Sequence, residues 1–246
     1  MSYDVSYGIA AAAEPSERAT FIRRTYSHLA GAILAFIGLE TVLVNTVPFD
    51  VIEGLLGGSR FSWLFVLGAF MGASWLAQYW ARSQTSRALQ YCGLALYVVA
   101  EAVIFLPLLI IATQFGDSVI PTAGILTLAT FGGLTITVFV TRKDFSFLAP
   151  ILSIGGLIAF GLIVVSIFVG FDLGVLFAAA MVVLMSGYIL YYTSNVMHHY
   201  RTDQYVAAAL ALFAAIATLF WYILQIVMMS RSPVFLNGSP RGSVSC

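Results

Sequence analysis

Tyr205–Met229 is a run of 25 residues without a formal charge, and six further apolar runs precede it. About 20 such residues cross the hydrocarbon core of a bilayer as a helix, so this run spans with some tilt to spare. On a helix, Ala207, Ala211, Ala214, Ala215 and Thr218 fall on one narrow face, a small-residue stripe that lets neighbouring backbones come close. A span thin on one side reads as the centre of a bundle. The other runs are Leu29–Val47, Ser62–Trp80, Ala88–Phe115, Val119–Val140, Phe147–Val169 and Leu173–Thr193. Their connections are short, and non-helical backbone does not lie exposed to lipid. The expected fold is all-α: a polytopic integral membrane protein with seven transmembrane helices, the last one central.

The chain is 61% hydrophobic and 9% charged, where a soluble domain carries about 25% charge. Residues 1–28 read as a polar cytoplasmic N-terminal segment, 29–229 as the transmembrane bundle and 230–246 as a low-complexity, disordered tail. The first apolar run is longer than a signal-peptide core, and no small-residue cleavage site follows it, so it reads as a retained span. Net charge is zero, which argues against nucleic-acid binding. Cys92 and Cys246 give neither a pairing pattern nor a metal spacing. Pro107 predicts a kink in the third span, and Trp63, Tyr79, Trp80 and Tyr91 sit where an aromatic belt would place them. Gly68 with Gly72, and Gly155 with Ala159, have the spacing of helix contacts. One lysine against ten arginines suggests a GC-rich bacterial genome.

Charge placement orients the bundle. With the N-terminus inside, the inner segments hold Arg18, Arg23, Arg24, Arg82, Arg87, Arg142, Lys143 and Arg201, and the outer ones hold Arg60, Arg231 and Arg241. Eight against three puts the N-terminus in the cytoplasm and, with seven spans, the C-terminus outside. Arg231, just beyond the last span, argues the other way and would fit a re-entrant span that returns the tail inside.

Several enzyme classes are excluded by what is missing. His28, His198 and His199 all lie at inner span ends, so Ser186 has no base for intramembrane serine proteolysis. No pair of aspartates lies at membrane depth for an aspartyl protease, and there is no His-Glu-x-x-His for zinc. A retinal protein needs a lysine in its last helix, and Lys143 is in a loop. The chain therefore reads as a non-enzyme, without a metal site or cofactor. Two ionisable residues do lie deep, Glu40 in the first span and Glu101 in the third, neither with an Arg or Lys in its own span. An intramembrane carboxyl is a candidate for a proton relay or cation path; the plainer reading is a protonated acid hydrogen-bonded to a neighbouring helix. Asp144 is placed to cap the fifth span. His198, His199 and Arg201 form a small cationic loop that reads chiefly as a topology signal.

Scattered segments in consistent order then resemble one family. Phe21-Ile22-Arg23-Arg24-Thr25-Tyr26 leads into the first span. Thr122-Ala123-Gly124 and Thr141-Arg142-Lys143-Asp144-Phe145-Ser146 bracket the fourth. Gly187-Tyr188-Ile189-Leu190-Tyr191 lies in the sixth, and Thr218-Leu219-Phe220 with Leu224 in the seventh. Together they resemble the Bax inhibitor-1 family across the whole bundle. The resemblance implies a last helix wrapped by the other six and a function without covalent chemistry. It implies either a pH-sensitive calcium leak, suppression of cell death in eukaryotes, or, in bacteria, control of a membrane-bound protease. Leak-type members use facing aspartates in helices 6 and 7 as a proton-sensitive latch, with a basic residue in helix 2. Here Tyr192 and Ala215 stand at the aspartate positions, and Arg82 matches the basic residue loosely. A latch of that kind is therefore not expected. The sequence reading is a cation (calcium) or proton leak in a bacterial inner membrane, with Glu101 and then Glu40 on the pathway. The alternative is a non-transporting modulator that binds a membrane protease or quality-control complex through its N-terminal segment.

Overall fold

The computed structural model describes residues 8–48, 50–51, 54, 60–83 and 86–231, with side chains of the second helix from Leu64 onward. Arg241, the tail from 232 and the side chains of Arg60 and Trp63 lie outside the described residues. Among the described residues seven helices are long and apolar enough to cross a membrane: α1 Pro15–Thr46, α2 Arg60–Ala81, α3 Arg87–Thr113, α4 Val119–Thr141, α5 Leu148–Val169, α6 Gly174–His198 and α7 Tyr205–Arg231. Each contains the apolar run expected of it to within a few residues, and α1 starts well before its run.

Local chemistry explains the helix limits. Pro15 opens α1, where its missing N–H costs nothing. Ser86 caps α3, its Oγ accepting from the Leu89 N–H at 3.4 Å. α5 ends on Gly170 at φ 81°, a left-handed cap that glycine adopts without strain. Within the apolar runs, hydroxyls donate back along their own helix. Thr127 Oγ1 donates to the Ala123 carbonyl at 2.8 Å, Ser186 Oγ to Val182 at 2.7 Å, and Thr218 Oγ1 to Ala214 at 2.9 Å. No polar hydrogen of these three is left for lipid. α3 runs through Pro107 as a single helix.

Burial identifies the centre. In α7, 72% of the most apolar window is buried, against 50% in α3 and 11–22% in the other five. α7 packs against α1, α2, α3, α4 and α6. The family resemblance implied six wrapping helices; here α5 leans mainly on α6 and lightly on α2 instead. The small-residue stripe is also not where helices come closest. Ala211, Ala214 and Thr218 are only half-buried, and Ala214, Ala215 and Thr218 face a cavity beneath α5. Gly68 and Gly72 have nothing within 4 Å of where a Cβ would stand, so they are not contact glycines. Gly155 does face a neighbour, the Leu184 side chain on α6.

The tightest backbone approach is at Gly93 on α3. A Cβ there would lie 2.5 Å from the Ala77 carbonyl oxygen and 2.7 Å from the Ala81 nitrogen of α2. Neither can rotate away, so a side chain must push the two helices apart. Gly93→Ala is expected to destabilise the protein by about 1–3 kcal/mol. Gly68→Ala, facing open space, should stay within about 0.5 kcal/mol of the parent. Unfolding in detergent micelles measures both.

Candidate functional site

Helices α1 and α3 bring the two deep carboxyls into one neighbourhood. Phe36, one turn before Glu40, meets Phe105, one turn after Glu101, edge to face at 5.2 Å, and Phe213 of α7 at 5.9 Å. Glu40 is 5% and Glu101 3% exposed, and they lie within electrostatic reach of each other. They do not share a hydrogen bond: neither carboxyl oxygen of Glu40 has a partner among the described residues. Buried carboxyl oxygens without partners are rare enough in native proteins to demand an explanation. Glu101 has company. The Tyr97 hydroxyl, one helical turn earlier, interacts with its carboxyl.

The surroundings of the two differ. Glu101 and Tyr97 line a cavity of about 700 Å³ between α2, α3, α5, α6 and α7. Its rim is the Phe171–Gly174 connection, which includes the exposed Asp172. Gly174 there has φ 66°, a left-handed geometry that lets the chain turn tightly into α6. Ser166 of α5, with Thr218 and Gln225 of α7, supplies the remaining polar wall. Glu40 sits behind Glu101 and is not a lining residue of this cavity.

A second cavity of about 360 Å³ lies between α5, α6 and α7 and is lined by both Tyr192 and Ala215. The two positions that the resemblance pairs are therefore neighbours in space, and neither carries a carboxyl. Ile163, Thr218 and Tyr222 border both cavities. The Tyr192 ring stacks on Tyr188 at 5.7 Å and meets Tyr191 at 5.3 Å. Arg82, at the end of α2, lies within electrostatic reach of the Tyr192 and Tyr200 hydroxyls. Burial pushes the Tyr200 hydroxyl up to about 12, with Arg82 opposing. The arginine thus faces a neutral phenol at this position. Tyr97 is within reach of Tyr192, so aromatic hydroxyls run between the Glu101 cavity and Arg82.

The end of the bundle rich in arginine is tied together by Asp144. It does not cap α5; Phe147 occupies that position without a side-chain bond. Instead Asp144 Oδ1 accepts from the Ser146 N–H at 2.9 Å, turning the chain just ahead of the helix. Its Oδ2 accepts from His199 Nε2 at 2.9 Å, and the Ser194 hydroxyl donates to Oδ1 at 3.3 Å. The Ser194 oxygen in turn accepts from the Phe145 N–H at 2.9 Å. The α6–α7 loop is therefore less cationic than its composition suggests, since Arg201 is also paired, with Asp203 at 3.2 Å. The segment before α1 and the first turn of α1 dock on the same loop: the Ala10 N–H donates to the Tyr200 carbonyl at 2.9 Å, and the Thr202 hydroxyl to Glu17 at 2.7 Å.

Long apolar helices, a buried central span and carboxyls at membrane depth define a polytopic helical membrane protein. The family model described as inhibitor of apoptosis-promoting Bax1 matches residues 18–232. An uncharacterized protein of Pseudomonas aeruginosa is 32% identical over 221 residues, covering 88% of this chain and 92% of the relative. Protein LIFEGUARD 4 of Arabidopsis thaliana is 30% identical, covering 86% and 85%. The Golgi anti-apoptotic protein of vaccinia virus (strain Lister) is 27% identical, covering 93% of each chain. The chain belongs to the Bax inhibitor-1 family.

Sequence reasoning singled out Glu101 but passed over its cavity partners. Tyr97 precedes Glu101 by four residues, on the same helical face. Thr218 and Gln225 are seven apart, two turns on one face of the last span. Asp172 and Phe177 come together with them only through the tertiary fold.

Asp144 generates a pH prediction. Burial is the largest single influence and raises its carboxyl, but the hydrogen bonds from Ser146 and His199 together outweigh it and hold it at about 2, below its ordinary 3.8. A depressed carboxylate stabilises the fold above its unfolded value, and that contribution fades as pH falls through the folded value. Protection of the Phe145 and Ser146 amides from hydrogen exchange is therefore expected to survive at pH 4 and to fade toward pH 2. Asp144→Asn should speed their exchange about tenfold at neutral pH.

Proposed function

We propose that this Bax inhibitor-1 family protein is a leak for cations, calcium among them, or protons, with Glu101 as the principal pathway carboxyl and Glu40 behind it. The observation that carries this reading is a 3%-exposed carboxyl lining a 700 Å³ cavity at membrane depth. An intramembrane carboxyl without a basic partner is costly to keep, and ion or proton pathways are where such groups are used. In this reading the membrane is a bacterial inner membrane, and arginine placement supports a cytoplasmic N-terminus and Asp144 cluster with the Asp172 rim facing outward. The chain is not an enzyme in this reading, and Tyr192 with Ala215 does not act as a titrating latch.

A second reading is a non-transporting modulator of a membrane protease or quality-control complex. It is favoured by the absence of a carboxyl at both Tyr192 and Ala215. One experiment separates the two. Purified protein in liposomes is expected to pass calcium or protons, and Glu101→Gln to reduce the flux about tenfold or more, with Glu40→Gln giving a smaller loss. Unchanged flux in both variants contradicts the pathway. Wild-type flux no greater than in empty liposomes favours the modulator.

A further inference from the structure

The walls of the Glu101 cavity are rich in aromatic rings. Phe70 of α2 and Tyr97 of α3 stand on one side, and Phe177 of α6 with Trp221 and Tyr222 of α7 on the other. These rings are held by one another: Phe70 to Tyr97 at 6.2 Å and Phe177 to Tyr222 at 5.9 Å. Phe105, against which Trp221 stands edge to face at 4.9 Å, is itself almost wholly buried. The walls are thus part of the packed core. Among the described residues the ionisable lining groups are Glu101 at depth and Asp172 at the rim, with no arginine, lysine or histidine.

Each feature selects a ligand class. A cavity of 700 Å³ falls in the range that holds a small organic molecule. Stable capture of calcium or magnesium takes six or more converging oxygens, and this site offers one buried carboxyl and scattered neutral groups. A single carboxyl, which ionises beside a cation, matches a single positive charge. Aromatic faces attract a cation whose charge is spread over an apolar body and which gives up little hydration on entering. An acyl chain from the bilayer would fill the apolar volume, but it would leave Glu101 facing hydrocarbon.

We infer that this cavity is a binding site for an organic monocation with an apolar body, with Glu101 as counter-ion and the rings of Trp221, Tyr222, Phe177 and Tyr97 as its walls. Asp172 at the rim favours approach of a cation and disfavours an anion of the same shape. Binding requires no flux, so this assignment and the permeation reading fail separately: one is measured as occupancy, the other as transport.

The test uses the full chain in lipid nanodiscs and two probes of nearly the same shape and opposite charge, tetraphenylphosphonium and tetraphenylborate. Equilibrium dialysis is read against empty nanodiscs to subtract partition into lipid. Each probe is measured alone: saturable binding of one tetraphenylphosphonium per chain is expected, and no saturable binding of tetraphenylborate. Glu101→Gln keeps the shape and removes the charge, and is expected to weaken binding about tenfold or more. Trp221→Leu is an independent variant should Glu101→Gln not fold, and is expected to weaken it about threefold. Binding no greater than in empty nanodiscs, equal binding of the anion, or wild-type affinity in a folded variant overturns the assignment.

Discussion

Everything distinctive about this bundle follows from one failure of contact: α5 does not close onto α7. A central span with 72% of its apolar window buried is packed by five helices, and the sixth rests on α6 and α2. The gap holds two adjoining cavities that share Ile163, Thr218 and Tyr222 as a border. Without that gap Thr218 and Gln225 would be ordinary interface residues. Glu101 would then be a carboxyl sealed in a dry core, an arrangement that proteins rarely retain. With it, the polar face of the central helix and the deep carboxyl of α3 look into one space.

The fold was legible from composition and run length because lipid leaves so few alternatives. Each of the seven helices covers the run from which it was expected to within one or two residues, and the burial of Tyr205–Met229 agrees with the central place that its length and small residues imply. What escaped was side-specific. Ala211, Ala214 and Thr218 read as a surface for close packing, since small residues allow it; whether a neighbour actually takes the space depends on α5, whose position no local pattern encodes. The reverse holds at Gly93, which carries the closest backbone approach without belonging to any spacing that stood out. Asp144 shows the same limit. A carboxylate three residues before a helix suggests a cap, but its real partners, Ser194 and His199, are about 50 residues away in sequence.

Membership of the Bax inhibitor-1 family supplies the scaffold, and this chain redistributes ionisable groups within it. Tyr192 and Ala215 share a cavity as the family pattern implies for their positions, yet the phenol and the methyl group leave Arg82 facing tyrosine hydroxyls. The intramembrane acids stand on α1 and α3 instead, enclosed by Phe36, Phe105 and Phe213. In the proposed reading the candidate carboxyls therefore lie on α1 and α3 and not at the positions in helices 6 and 7 that the resemblance implies. The plant LIFEGUARD 4 and the viral Golgi anti-apoptotic protein each match over most of the chain. The common element is therefore the bundle itself, on which different sites can be carried.

The central claim is that a cavity reaches from the Asp172 rim to Glu101 along the polar face of α7. Cysteine accessibility in membranes measures this directly, in a background with Cys92 and Cys246 replaced by serine. Gln225→Cys and Ser166→Cys, which line the cavity, are predicted to react with a small hydrophilic thiol reagent. Leu219→Cys and Leu224→Cys, fully buried elsewhere on α7, are predicted to stay unreacted. Equal protection of all four positions would contradict the account.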